Sequence, residues 1–313
     1  MASLLGVLLG STSISLRELW HALWDTDAGA TRSILLYVRL PRVCGSLLCG
    51  GALAVSGAVI QGVLANRLAS PSIIGVNAGA GLAVTLCAAL GVVGGWYVSL
   101  FAFLGALVAM IPISILAQRW GVSRGTILLL GVALNSLLGA CSDAVIAFSP
   151  EVSVMSADFK IGDFSSVTYD KLLPAAVIIV LAILAAYLCS HTLDVLSLGE
   201  EHARALGLNT DLARIALLIL AALMAGASVS LAGLLSFVGL LVPHGVRRVA
   251  GSKSSHLIGL CALYGAGFVC LCDTLARTLF APYEIPVGII MAYLGAPFFV
   301  FILIKGKGGH GRD

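Results

Sequence analysis

The chain has 313 residues, of which 59% are hydrophobic and 11% are charged, and its formal net charge is +3. Soluble domains usually carry about 25% charged residues, and a mean hydropathy of +1.06 leaves more apolar surface than one globular core can hide. Composition therefore excludes an ordinary soluble domain and favours a protein embedded in lipid. The apolar runs are continuous rather than alternating, which favours helices over a membrane β-barrel.

The first 43 residues differ from the rest of the chain. Residues 1–9 are apolar but too short to cross a bilayer, and they lack the basic start and cleavage site of a signal peptide. Residues 10–43 mix acidic and basic side chains. Long polar connections occupy 149–171 and 190–211. We predict a helix for each of the nine apolar segments, which are 44–65, 76–94, 97–118, 126–148, 172–189, 212–232, a short one at 235–246, 257–278 and 287–304.

Lysine and arginine indicate the orientation, because cytoplasmic loops carry an excess of them. If the connection 190–211 is cytoplasmic and the segments alternate from there, the cytoplasmic side receives the larger share of basic residues. Most of those left outside cluster before residue 44. The orientation rule does not explain this cluster, which suggests a separate purpose for it.

Four stretches place polar or helix-breaking residues among the membrane segments, where such residues are costly. The first is RLPR, from Arg39 to Arg42, which we place at the start of a helix because proline suits the first turn. Its arginines are either interfacial anchors that reach the lipid headgroups or a basic patch that meets acidic side chains of a docking protein.

The second stretch, 56–81, combines several glycines with Gln61, Asn66 and Asn77, and Pro71 breaks its helix. Irregular backbone at membrane depth is tolerated only where it is buried in protein or lines a cavity. Two interpretations stay open, namely a tight turn between two helices and the lining of a pathway.

The third stretch, 196–214, predicts two short helical pieces. Acidic residues open the first piece at 199–206, Gly207 stops it, and Asn209 to Asp211 cap the next span. The stretch is either a solvated loop or a surface for a partner, because it has an apolar face of its own. That face would consist of Leu198, Ala203, Leu206 and Leu208.

The fourth stretch covers 233–251, 273–279 and 283–299. His244 is interpreted as a structural histidine. Asp273 and Arg277 are four residues apart, which predicts an ion pair on one helix face. Glu284 and Pro286 open a predicted re-entrant or interfacial turn.

Catalytic and metal-binding patterns are missing from the sequence. No phosphate-binding loop of the G-x-x-x-x-G-K-[ST] type occurs, and the eight cysteines form no C-x-x-C pair. We therefore predict no enzyme activity, cofactor, metal site or disulfide. If ATP drives this protein, another chain hydrolyses it.

The four stretches together resemble the FecCD/BtuC-type permease family, the membrane subunits of ABC importers for iron-siderophores, haem, cobalamin and related chelates. The matching pieces appear in the family's order, and they are RLPR at 39–42, SGAVIQG-N-LASPSIIGVNAGA at 56–80, LGEEHARALGL at 198–208, FVGLLVPHGVRR at 237–248, and D-x-x-x-R, EIPVG and LGAPFF between 273 and 299.

The resemblance implies a BtuC-like bundle, normally of ten transmembrane helices, in the cell membrane. It also implies a homodimer with the translocation path at the dimer interface, two cytoplasmic ATPase subunits, an extracytoplasmic binding protein, and no nucleic-acid partner. Binding-protein docking would involve Arg39, Arg42, Arg277 and Glu284. The coupling helices would lie at 198–212 and use Leu198, Gly199, Glu200, Glu201, Ala203, Arg204, Leu206 and Gly207. The translocation path or gate would include Gln61, Asn66, Asn77, Ser123, Arg124 and Thr126.

This chain departs from the family pattern in four places. It matches from about Gly10, so we expect nine full spans plus a truncated first helix within one permease domain, 1–306, followed by a polar tail, 307–313. Asn66–Arg67–Leu68 stands where Asn-Pro-Leu is usual, and Arg124–Gly125 stands in the gate loop where small hydroxyl residues can occur. The aromatic-rich W-x-x-G pattern is FKIG at 159–162.

Two rival functions remain for comparison. An ion-coupled secondary transporter would need carboxylates or histidines deep in the membrane, and only Asp143 and Asp273 approach this. A membrane anchor without a pathway would not need the polar, irregular segments.

Overall fold

The computed structural model describes residues 2, 6–7, 29–92, 95–119 and 124–307, and within these ranges every regular element is a helix. A π-helical turn, Ile34–Arg39, joins the first two α-helices. In chain order the α-helices are α1 (Gly29–Ser33), α2 (Leu40–Val63), α3 (Val76–Ala89), α4 (Gly95–Arg119), α5 (Arg124–Phe148), α6 (Glu151–Ile161), α7 (Tyr169–Leu188), α8 (Ser190–Ser197), α9 (Glu200–Ala205), α10 (Thr210–Ala232), α11 (Val238–Ala250), α12 (Ser254–Thr278) and α13 (Val287–Lys307). The predicted all-α fold is confirmed.

Each of the nine predicted apolar segments forms one helix, but the connections contain more structure than expected. The connection 149–171 includes α6, which ends where Gly162 adopts a φ of 83°, and 190–211 includes α8 ahead of the expected α9. Pro41 lies in the first turn of α2 as predicted. Helical structure nevertheless already includes Gly29–Arg39 in the described residues, so RLPR is not the start of the helical run.

Several of these helices are long and apolar enough to cross a bilayer, which needs roughly 20 residues. Five meet both conditions in the described part of the chain, namely Thr31–Val63, Gly125–Phe148, Tyr169–Leu188, Thr210–Ala232 and Ser254–Thr278. Shorter apolar helices are Val76–Ala89, Gly95–Met110 and Val287–Val300.

Helix α2 lies at the centre of the bundle, where it packs against α10, α11 and α12. In the most apolar part of Thr31–Val63, 83% of the residues are buried, compared with 17% in α5. The α2 helix is therefore an internal element, whereas α5 leaves most of its apolar surface uncovered by this chain.

Glycines let α2 approach its neighbours backbone to backbone. A Cβ atom added at Gly50 would overlap the carbonyl of Gly265 in α12, and one added at Gly57 would overlap the backbone of Gly239 in α11. Small residues at such crossings allow the close van der Waals packing that holds helices together in lipid.

The Gly50–Gly265 crossing predicts the effect of one added methyl group. We expect Gly265→Ala to destabilise the protein, because overpacking costs about 1–3 kcal/mol and outweighs the gain of about 1 kcal/mol in helix propensity. Thermal unfolding in detergent measures the change. Gly267→Ala in the same helix is the matched control, since its Cβ would meet nothing within 4 Å. Equal unfolding temperatures for the two variants would contradict the prediction.

Candidate functional site

Arg42 lies near the start of α2 and contacts three carboxylates from distant parts of the chain. Its Nε donates to Oδ1 of Asp273 at 3.0 Å, and its Nη1 donates to Oε2 of Glu284 at 2.6 Å. Its Nη2 lies 3.5 Å from Oδ1 of Asp163. Arg42 therefore joins α2 to α12, to the turn before α13 and to the loop that follows α6.

Asp273 connects Arg42 to a second arginine. Its Oδ2 lies 3.2 Å from Nε of Arg277, which confirms the ion pair expected from their spacing. Only 1% of Asp273 is exposed. We call this group the ion-pair cluster and define it as Arg39, Arg42, Asp163, Asp273, Arg277 and Glu284. Its three positive and three negative charges balance, as buried charges require.

The outer arginines of the ion-pair cluster bind backbone carbonyls near the start of the chain. Arg39 donates to the carbonyl of Val7 at 2.7 Å, and Arg277 donates to that of Gly6 at 2.9 Å. Arg39 and Arg277 are only 4% and 3% exposed, whereas the side chain of Glu284 is 35% exposed. Of the four side chains predicted to dock a binding protein, only Glu284 is thus accessible in this conformation.

The predicted coupling segment, 198–212, lies at the opposite end of the bundle. Arg42 and Gln61 are 19 positions apart on α2, so the two ends are separated by roughly 30 Å, about the thickness of a bilayer core. In the segment, α9 starts after Gly199, whose φ is 106°, and Gly207 with a φ of 82° lies just beyond its end. The side chain of Asn209 accepts from the amide of Leu212 and caps α10, as predicted.

Ion pairs order the coupling segment, and one of them joins it to the bundle. Glu200 lies 2.7 Å from Arg204 and 3.2 Å from Arg214, which is in α10, and Arg204 also lies 3.5 Å from Asp211. Glu201 is exposed. The segment is therefore a fixed protrusion rather than an unstructured loop.

The apolar side chains of the coupling segment divide into two groups. Ala203 is fully buried and Leu208 packs partly against the core, so both face the bundle. Leu198 and Leu206 are 60% and 66% exposed. The apolar face expected from the sequence is therefore split, and two of its three leucines remain outside, as does Leu212, which is 69% exposed.

The stretch 56–81 contains a turn between α2 and α3. The side chain of Asn66 accepts from the amide of Leu68 at 2.8 Å, which supports the turn interpretation at this residue. Gln61 is buried and donates to the carbonyl of Gly239 at 3.1 Å. Asn77 lies half-buried in the first turn of α3.

The other gate candidates begin α5. Arg124 is its first residue and Thr126 is half-buried, whereas Ser123 lies outside the described residues. The structure thus brings Gln61 and Asn66 to the α2–α3 turn and places Arg124 and Thr126 on a different helix. Their part in a gate stays a prediction.

Three polar residues that matter in these sites were not selected from the sequence. Asp163 pairs with Arg42, and Arg247 donates to Oε1 of the buried Gln61. Asn135 donates to the carbonyls of Ser72 and Ile73, at 2.9 and 2.8 Å, and so satisfies the α2–α3 turn. Asn135 could have been selected from the sequence, because it is a polar amide within the apolar segment 126–148.

The two carboxylates considered for ion coupling differ in their surroundings. Asp273 already binds two buried guanidinium groups, and Asp143 lies exposed on α5. No group of three or more His, Cys, Asp or Glu side chains in the described residues could hold a metal ion. This arrangement does not favour the ion-coupled alternative.

Comparison with known proteins covers nearly the whole chain. The hemin transport system permease protein HmuU of Yersinia pestis is 35% identical over 306 residues, covering 96% of this chain and 90% of HmuU. The vitamin B12 import system permease protein BtuC of Yersinia enterocolitica is 34% identical, covering 98% and 93%. The achromobactin transport system permease protein CbrC of Dickeya dadantii is also 34% identical, covering 98% and 88%.

Solved structures agree with these relatives. A metal-chelate type ABC transporter in an inward-facing conformation has a TM-score of 0.85 and 27% identity, and the match covers 97% of this chain and 95% of the other. PsaBC from Streptococcus pneumoniae, with a TM-score of 0.61 and 17% identity, shares the fold. The model of the FecCD transport family matches residues 1–305. The resemblance expected from the motifs is therefore confirmed, and this multi-pass membrane protein belongs to the FecCD transport family.

Proposed function

We propose that the chain is the membrane-spanning permease subunit of a binding-protein-dependent ABC importer. It moves an iron-siderophore, haem or cobalamin-type chelate across the cell membrane into the cytoplasm, and a partner subunit hydrolyses the ATP. The names of its full-length relatives, which carry hemin, vitamin B12 and achromobactin, support this class of cargo.

The geometry of the coupling segment carries the proposal. Two short elements held by ion pairs present Leu198 and Leu206 to the outside at one end of the bundle. Uncovered apolar side chains on a fixed protrusion suit insertion into a groove of another protein. We assign this surface to two cytoplasmic ATPase subunits, one for each permease copy.

We propose that α5 packs against a second copy of the chain. This helix has the length and hydropathy of a membrane span but only 17% of its most apolar part is buried. Leu129 and Leu137 are among its exposed side chains. We propose that the translocation path runs along the interface of this homodimer, within a single permease domain at 1–306 that carries the polar tail 307–313.

We propose that the extracytoplasmic binding protein docks at the end of the bundle that contains the ion-pair cluster. Glu284 is already accessible there. Arg39 and Arg277 lie beneath the backbone of residues 6 and 7, so direct contact with acidic residues of the partner requires that cover to shift. In this proposal, docking of the binding protein therefore changes the packing around the ion-pair cluster.

Reconstituted transport tests the proposal. Proteoliposomes containing this chain and its ATPase subunit are loaded with ATP and mixed with the binding protein and radiolabelled haem, cobalamin or ferric siderophore. We expect uptake of at least one chelate, and we expect that uptake to stop when the ATPase, ATP or the binding protein is left out. Uptake driven by an ion gradient without the ATPase would overturn the proposal in favour of a secondary transporter.

A further inference from the structure

A basic cavity lies at the coupling end of the bundle, beside the α2–α3 turn. It has a volume of about 190 Å³ and is open to the outside. Arg67 and Arg247 line it, together with Ser197, Ser252 and Ser254. The walls come from α2, α8, α11 and the start of α12.

The cavity has an excess of positive charge. No acidic side chain is among its lining residues, and in the described ranges neither Arg67 nor Arg247 lies within 4.0 Å of a carboxylate. The nearby Asp194 accepts from the amide of Ser254 at 2.9 Å at the start of α12, and it does not line the cavity. Two guanidinium groups thus share one cavity, and no carboxylate of the described residues pairs with either of them.

A buried amide fixes one of these guanidinium groups. Gln61 donates to the carbonyl of Gly239 and accepts from Nη1 of Arg247. Since Gln61 is 3% exposed, this contact anchors Arg247 to the centre of the bundle. The side chain is therefore pre-organised at the cavity wall, which lowers the entropic cost of binding an anion.

Arg67 brings a charge that the family pattern lacks at this position. It occupies the place where Asn-Pro-Leu is usual, and it is exposed at the mouth of the cavity. Its apolar lining residues include Ala58, Leu193 and Leu257. The cavity thus combines two cations, three hydroxyl groups and an aliphatic side.

We propose that this cavity binds a phosphate group, supplied by the headgroup of an anionic phospholipid or by free phosphate. Guanidinium groups bind phosphate oxygens through paired, charge-assisted hydrogen bonds, and the hydroxyls of Ser252 and Ser254 can donate to the remaining oxygens. A bound phosphate would link α8, which directly precedes the coupling segment, to α2 and α11. It would therefore stabilise the base of the coupling segment against the bundle.

Native mass spectrometry of the purified full-length chain tests the site. The protein is exchanged into detergent micelles with phosphatidylglycerol or with phosphatidylcholine, and separately titrated with inorganic phosphate. We expect more retained phosphatidylglycerol than phosphatidylcholine, and we expect Arg67→Gln to lower its affinity about fivefold, the usual effect of one basic residue near a membrane surface. Arg248→Gln is the matched control, because Arg248 is exposed on α11 but does not line the cavity.

The arms of the experiment separate the phosphate sources. Selective retention of phosphatidylglycerol that Arg67→Gln weakens and Arg248→Gln does not identifies a lipid headgroup. Arg67-dependent binding of inorganic phosphate without lipid retention identifies a free anion. If Arg67→Gln and Arg248→Gln change both kinds of binding equally, or if Arg67→Gln changes neither, the proposal is wrong. None of these outcomes depends on which chelate is carried.

Discussion

Replacing Asp273 with asparagine is expected to cost about 3–5 kcal/mol of stability, because it removes the buried counter-ion that Arg42 and Arg277 share and leaves the cluster with a net positive charge. Arg42 and Arg277 both contact this carboxylate, and each is less than 5% exposed. The amide keeps the size of the side chain but removes its charge. We expect most of the variant to be lost as aggregate on size-exclusion chromatography, and the remainder to unfold at a lower temperature.

The control for this experiment is Asp143→Asn, which removes the same charge from an exposed position on α5. It should leave yield and unfolding temperature unchanged. A double variant, Asp273→Asn with Arg277→Gln, restores the charge balance of the cluster and should recover part of the lost stability. If Asp273→Asn behaves like Asp143→Asn, the cluster does not stabilise the fold as argued.

The same double variant distinguishes packing from docking. If it recovers stability but not uptake in proteoliposomes, while still binding the ATPase, Arg277 has a role beyond the ion pair. Such a result supports the proposed contact with a binding protein. Recovery of both stability and uptake assigns Arg277 to packing alone.

Changing Leu206 to glutamine is the second substitution with a large expected effect. We expect binding of the ATPase subunit to weaken about thirtyfold, since a central apolar anchor at an interface is worth about 2 kcal/mol. The fold should be unaffected, because Leu206 is 66% exposed. Biolayer interferometry between the permease and the ATPase measures the affinity, and ATP-driven uptake measures the consequence for transport.

Val249→Gln is the matched control for Leu206→Gln. Val249 is 86% exposed on α11, at the same end of the bundle but outside 198–212. The Val249→Gln variant should bind the ATPase with the same affinity as the unchanged protein. Equal binding by all three proteins would mean that the coupling segment does not hold the ATPase through its exposed leucines.

Local features of this fold could be predicted from the sequence. The nine apolar runs correctly predicted nine helices, and the i,i+4 spacing correctly predicted the Asp273–Arg277 pair. Asn209 was correctly predicted to cap α10. Each of these depends on residues that are close in the chain. The motifs also indicated the family, because several of them occur in the right order.

Long-range pairing could not be predicted in this way. Arg42 lies 231 residues from Asp273 and 242 from Glu284 in the chain, and no spacing rule relates such positions. The burial of Arg39 and Arg277 depends on the backbone at residues 6 and 7, far away in sequence. Helices α6 and α8 were missed because they are short and only partly apolar, so they resemble polar connections.

The glycine crossings of α2 also restrict how the protein can change shape. Backbone lies directly on backbone at Gly50–Gly265 and Gly57–Gly239, so no layer of side chains can slide or repack there. If the proposed transport involves a change of shape, we expect α2, α11 and α12 to move together as one rigid block. A push on the coupling segment would reach the ion-pair cluster, roughly 30 Å away, as a rotation of this whole block.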